Sequence, residues 1–156
     1  MEQLIQILKE LLASTVALKY KAHGYHWNVE TDDFPQYHEF FGEIYEDYDG
    51  AIDPLAEWIR MIDINSYAPF KLSRFTQLSI IPETEVSANH EDMARDLKIS
   101  NDMMIQKFAD AGEIATNMKQ YGLANFFGDR QTMHQKWSWQ LETLFRSDPE
   151  QTPQGM

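Results

Sequence analysis

An all-α four-helix bundle, with one long crossover between the second and third helices, is the fold class the sequence predicts. Two observations predict it. Apolar residues recur at helical spacing through four long segments, and the connections between those segments differ sharply in length. A chain of 156 residues suits a single domain with a sizeable core and is short for two.

Segment one, about 2 to 28, carries Leu4, Ile5, Leu8, Leu11, Leu12 and Val16 as one stripe. Segment two, about 33 to 63, places Phe34, Tyr37, Phe41, Tyr48, Ile52, Leu55 and Ile59 at steps that keep one helical face apolar. Segment three, about 87 to 119, uses Met93, Leu97, Met104, Phe108, Ala111, Ala115 and Met118. Segment four, about 121 to 146, uses Phe126, Phe127, Met133, Trp137, Leu141 and Leu144, with Arg130 on the same stripe. Gly50 and Pro54 interrupt segment two, and an interior proline costs about 3 kcal/mol. The stripe stays in phase through Leu55 and Ile59, so a kink is expected there and not a break.

Thr31-Asp32-Asp33 is a short turn whose aspartates are suited to cap the second helix. Residues 64 to 86, "INSYAPFKLSRFTQLSIIPETEV", form the crossover, with Pro69, Pro82 and room for a short extra helix. Gly122 marks the last break. The domain is expected to span 1–146, followed by a flexible polar tail over 147–156.

Composition narrows the function classes. The absence of cysteine excludes disulfides and thiolate metal sites. No apolar run approaches the ~18 residues that span a bilayer, and no signal-peptide layout is present, so a cytoplasmic location and no membrane partner are expected. A formal charge of −12 disfavours direct binding to DNA, which needs clustered Lys and Arg. It suits a protein that handles cations, and equally one that is simply soluble.

The stretch "HGYHWNVETDDFPQYHEFFG", residues 23 to 42, holds three of the five histidines. A single bundle that houses a di-iron site supplies two Glu-x-x-His pairs, and this chain has none. At about 100° per residue, His26 lies about 40° from Leu4, on the apolar stripe of the first helix. Asp53 and Glu57 are spaced i, i+4 and share a face of the second helix. That face is more than about 90° from the helix's own apolar stripe, so it meets either water or another subunit. In the second case the geometry suggests a site divided between two chains, with histidines from one and carboxylates from the other.

"H-W-N-V" at 26–29, "H-E-F-F" at 38–41, Asp53, the Ala56-Glu57 pair and "K-W-S-W" at 136–139 together resemble the Dps miniferritins of the ferritin-like fold. The resemblance runs through nearly the whole chain, helix order and crossover included. It implies a dodecameric shell with ferroxidase centres at its two-fold interfaces, where Fe(II) is oxidised by hydrogen peroxide or oxygen and stored as ferric oxide. Carried over, His26 and His38 of one chain and Asp53 and Glu57 of its partner are the metal ligands and catalytic residues. Trp27 is read as a packed aromatic ahead of a residue beside the bound iron that acts as a sink for stray oxidising equivalents. Imidazole and carboxylate donors together suit iron(II) and leave positions open for an oxidant.

Three features depart from the family's pattern. Gly42 stands where members carry an acidic residue four positions after the second histidine; Glu39, Glu43 and Glu46 are the nearest substitutes, and a carboxylate restored at 42 is expected to tighten iron binding. Around the start of the fourth helix, Lys119-Gln120-Tyr121-Gly122 replaces the acids that line the family's three-fold pore, leaving Asp110 and Glu113 nearest. No basic residue follows Arg146, so the tail carries no DNA-binding arm. His23 pairs with His26 at His-x-x-His spacing but is read as structural; His90 and His134 are read as surface or core residues. Glu43, Glu46 and Asp49 are read as solvated charges ahead of cavity-facing iron-nucleating acids. Two alternatives stay open: a Dps-like cage or interaction protein whose metal site has weakened, and a small bundle holding one zinc through histidines alone.

Overall fold

The computed structural model describes residues 1–146, and the stretch expected to form a tail lies outside the described residues. Five helices follow one another: α1 (Glu2–Asn28), α2 (Phe34–Ile62), α3 (Leu72–Leu78), α4 (His90–Asn117) and α5 (Tyr121–Thr143). None is long and apolar enough to cross a membrane, among the described residues.

Two helical hairpins, α1 with α2 and α4 with α5, pack against each other to make the bundle, and α3 rests on α1. Each helix contributes the stripe expected of it, except that Phe34, expected on the apolar face, is exposed at the first residue of α2 and stacks on His38. Leu4, Leu8, Leu11 and Leu12 from α1 meet Phe41, Tyr48, Leu55 and Ile59 from α2 in one core, with Leu97, Met104 and Phe108 from α4 and Phe127 and Leu141 from α5. Val16, Ile52, Met118, Phe126, Met133 and Leu144 pack at its margin, half-buried.

The connections have local causes. α1 stops because Val29 turns extended and is buried. Glu30 then donates its amide to the Ala88 carbonyl at 2.8 Å, tying the end of α1 to the start of α4. α2 begins at Phe34 with Pro35 in its first turn, where a missing amide costs nothing. Asp33 is its N-cap residue, yet the carboxylate caps nothing; backbone φ −96°, ψ 35° is outside the extended region that capping side chains use, and the Asp33 carbonyl takes the Gln36 and Tyr37 amides instead. Past Gly50 and Pro54, α2 runs on as one unbroken helix. Burial of Ala51, Leu55 and Ile59 on either side of the proline outweighs one lost ladder bond.

The crossover is pinned at two places. Ser14 of α1 accepts the Ile80 amide at 3.0 Å. Lys21, nearly buried, reaches Asp96 at 2.7 Å, Thr84 at 3.0 Å and Ser100 at 3.1 Å, and Tyr25 donates to the same Asp96 carboxylate at 2.5 Å. α4 ends in a Schellman turn, with the Gln120 amide on the Ala115 carbonyl and the Lys119 amide on Thr116. Lys119 takes the left-handed position there at φ 59°, where glycine would be unstrained.

Candidate metal centre

His26 lies in the last turn of α1 and His38 near the start of α2. The short 29–33 reversal, held by the Glu30–Ala88 bond, lays these two turns side by side. The rings stack at 3.7 Å between centroids and 19° between planes. Each ring's Nδ1 faces the other residue's backbone carbonyl, at 2.5 Å for His26 and 2.7 Å for His38. A carbonyl only accepts, so both Nδ1 atoms carry the proton. In the neutral rings the lone pair therefore sits on Nε2, the form in which a histidine ligates a metal while its other nitrogen is anchored. Among the described residues, neither Nε2 takes part in a hydrogen bond, and both rings are half-buried at the surface of the hairpin.

Asp53 and Glu57 stand on the exposed side of α2, one turn apart, and neither is ion-paired with a described residue. Among the described residues, no three His, Asp or Glu side chains of the chain gather around a common point. The structure thus brings His26 and His38 together and keeps Asp53 and Glu57 away from them in the same chain. Trp27 is half-exposed; its ring meets His23 at 4.1 Å and Tyr20 edge-on at 6.3 Å. His23 stacks on Tyr45 at 4.0 Å, and Tyr45 in turn meets His26 edge-on at 5.2 Å. His23 is therefore part of an aromatic lining, as expected for a structural residue. Glu39, Glu43 and Glu46 are exposed, while Asp49 is 3.6 Å from Lys19.

Gly42 has a role that the sequence did not reveal. A Cβ there would meet Nδ1 of His26 at 3.1 Å and its Cε1 at 3.2 Å. A side chain at 42 needs that ring to give by a few tenths of an ångström, which alters the outlook for a restored carboxylate.

Sequence reasoning also missed the polar groups inside the bundle. Asp47 binds both terminal nitrogens of Arg130 at 2.9 Å and accepts from the Trp137 indole at 2.8 Å. Burial pushes the Asp47 carboxyl up, but the Arg130 and Trp137 bonds outweigh it and hold the group below the usual carboxylate range. Deeper in, Asn101 Oδ1 accepts from the Tyr48 hydroxyl at 2.7 Å and from His134 Nδ1 at 2.6 Å, while Asn101 Nδ2 donates to the His134 carbonyl. His134 is a fully buried core residue, and burial first, then Arg130, lowers its pKa to about 3. Arg130 in the middle of an apolar stripe was the available signal. A cation at a core position requires a buried anion. His90, half-buried, lies against the Tyr37 ring at 4.3 Å.

Comparison with known proteins agrees with this architecture. The ferritin-like domain family matches residues 5–149. The DNA protection during starvation protein of Helicobacter pylori is 28% identical over 138 residues, covering 88% of this chain and 94% of that protein. Dps from Thermosynechococcus elongatus superposes with a TM-score of 0.87 at 21% identity, over 97% of this chain and 95% of that one. Dps from Vibrio cholerae O1, described as a member of a broad superfamily of ferritin-like diiron-carboxylate proteins, gives 0.86 at 25% identity, over 93% and 90%. Matched along almost its entire length, the chain belongs to the ferritin-like family, as a miniferritin of the Dps type.

Proposed function

We propose that this protein is an iron-oxidising and iron-storing cage, consuming Fe(II) with hydrogen peroxide or oxygen and so limiting oxidative damage. The observation that carries the reading is the division of the ligand set. Two imidazoles are fixed with Nε2 as the ligating nitrogen on one face, and two carboxylates stand exposed on another. Either half alone is a poor site for a transition ion. A two-fold axis that sets His26 and His38 of one protomer against Asp53 and Glu57 of its partner makes both halves whole twice over. Fe(II) accepts this mixed donor set, and the carboxylates stabilise the harder Fe(III) product.

Exposed apolar residues support self-association. Met61 continues the Asp53–Glu57 stripe by one more turn, and Ile64, Tyr67, Phe70 and Leu72 follow it in the crossover, Phe70 and Leu72 above 80% exposed. Exposed side chains of this size at the end of α2 and in the segment after it are suited to an association surface. The dodecameric shell of this reading would have about twelve times the 18.3 kDa chain mass. The charge of −12 supports a cage that attracts cations and does not bind DNA directly.

Mixed shells test the reading. His26→Ala and Glu57→Ala should each abolish rapid Fe(II) oxidation with the shell still assembled. Shells reassembled from equal amounts of the two should recover activity, because one of the two centres at a mixed interface is then intact. A stable monomer by light scattering, or wild-type oxidation no faster than the protein-free background with either oxidant, would overturn it. In the second case the Gly42 departure favours the cage with a weakened site.

A further inference from the structure

We infer that Tyr45 is a redox relay: it gives an electron to the oxidant at the His26 centre and passes the resulting hole through His23 to Trp27. The inference rests on the iron-oxidising reading of that centre.

Contacts between rings set the route. Trp27 follows His26 in the chain, but consecutive residues of a helix point about 100° apart. The phenol that lies against His26 is that of Tyr45 from α2, edge-on at 5.2 Å. Tyr45 then stacks on His23 at 4.0 Å with 21° between planes, and His23 meets Trp27 at 4.1 Å. Tyr20 ends the series, edge-on to Trp27 at 6.3 Å. Tyr45 and His23 are half-buried, whereas Trp27 is 52% and Tyr20 69% exposed, so the series runs outward from the centre. Two other tyrosines lie off this route. Tyr25 packs on Phe41 with its hydroxyl held by Asp96, and Tyr48 stacks on His134 in the core. Electron tunnelling falls exponentially with the gap between groups, so rings in contact carry a hole that one longer jump would not. Imidazole is harder to oxidise than phenol or indole. His23 is therefore the stacked bridge, and Tyr45 and Trp27 are the stopping points.

The electron count gives the relay its use. Hydrogen peroxide needs two electrons and two protons to become two water molecules. A lone Fe(II) supplies one electron, and half of the peroxide then leaves as hydroxyl radical unless a second donor is in reach. Tyr45 supplies that electron with its phenolic proton, and solvent supplies the other proton. One Fe(II), one peroxide, one phenol and one proton thus become one Fe(III), two water molecules and one phenoxyl radical. Trp27 next returns an electron through His23. The phenoxyl takes up a proton and is phenol again, while the exposed indole loses its N–H proton to water and holds the radical where reductants reach it.

Freeze-quenched electron paramagnetic resonance and peptide mass spectrometry test this on the assembled protein, given substoichiometric Fe(II) and then hydrogen peroxide. The wild type should show a tryptophan radical and oxygenated Trp27, with little hydroxyl radical caught by a spin trap. Tyr45→Phe keeps a stacked ring without the oxidisable phenol; Trp27 should stay unmodified and the spin adduct should rise several-fold. His23→Leu should hold the radical on Tyr45, with a tyrosyl spectrum and unmodified Trp27. Tyr121→Phe, at the start of α5 and outside the series, should match the wild type. Trp27 oxygenated as in the wild type in either Tyr45→Phe or His23→Leu would overturn the relay. Fe(II) oxidised by the wild type with no radical on Tyr45 or Trp27 would overturn it too, while leaving the ferroxidase reading standing. No Fe(II) oxidation at all would overturn both. The wild-type spectrum decides even where a variant assembles poorly.

Discussion

His26 and His134 make nearly the same local bond and come to opposite ends. Each anchors Nδ1 on an acceptor of a neighbouring helix, a backbone carbonyl for His26 and the Asn101 side chain for His134. His134 does so inside the bundle, stacked between Tyr48 and Phe108, with its Nε2 buried and without a hydrogen-bond partner among the described residues. His26 does so on the flank of the α1–α2 hairpin, half-buried, with Nε2 left for something outside the chain. The anchor fixes the tautomer in both. The surroundings decide whether the remaining nitrogen is locked into the core or available to a ligand. The partners of the interior polar cluster all come from one chain, whereas the histidine pair gathers no third donor among the described residues.

Acid should expose this difference most strongly. The folded-state pKa of His134, about 3, lies below the 6.5 of an ordinary histidine. Below pH 6.5 the unfolded chain binds a proton that the folded chain refuses. Stability from this group is therefore complete above 6.5, declines as pH falls, and is exhausted near 3. The loss is at most about 1.4 kcal/mol per pH unit and on the order of 5 kcal/mol in all. Denaturant midpoints measured between pH 6.5 and 4.5, before most carboxylates titrate, should fall steeply for the wild type and much less for His134→Gln.

Asp47→Ala comes next. It strands the Arg130 guanidinium, whose side chain is 9% exposed, and removes the acceptor of the Trp137 indole. A destabilisation of about 3 kcal/mol is expected in urea unfolding. A value under about 1 kcal/mol would mean that the interior cluster is not the closed unit described above.

The exposed half should behave in the reverse way. Glu57→Gln removes an exposed carboxylate with no partner among the described residues, so unfolding should shift by no more than about 0.5 kcal/mol. Fe(II) oxidation should nevertheless fall by orders of magnitude, because ligands of one centre act as a unit. If stability falls with activity, Glu57 has a structural role that the single chain does not display. The smallest effect belongs to a site in neither region. Lys119→Gly relieves a left-handed residue at the end of α4 and should raise stability by up to about 1 kcal/mol without touching iron oxidation.

Sequence alone determined the architecture. Period-3.6 stripes need only residue order and the hydrophobic effect, and they placed four long helices within a few residues of their observed ends. The unequal connections located the crossover, and the same arithmetic put Asp53 and Glu57 outside their own bundle, where they are found exposed. Tertiary structure decided what depends on distance between helices. The stacking of His26 on His38, the donation from each Nδ1–H to the other residue's carbonyl, and the tight space for a side chain at Gly42 all arise where the last turn of α1 crosses the first turns of α2. Residue order gives angles around one helix axis, but not the separation of two. For the same reason Asp47, Arg130 and Trp137 had no visible link until the bundle closed, since Arg130 and Trp137 lie 83 and 90 residues from Asp47 in the chain.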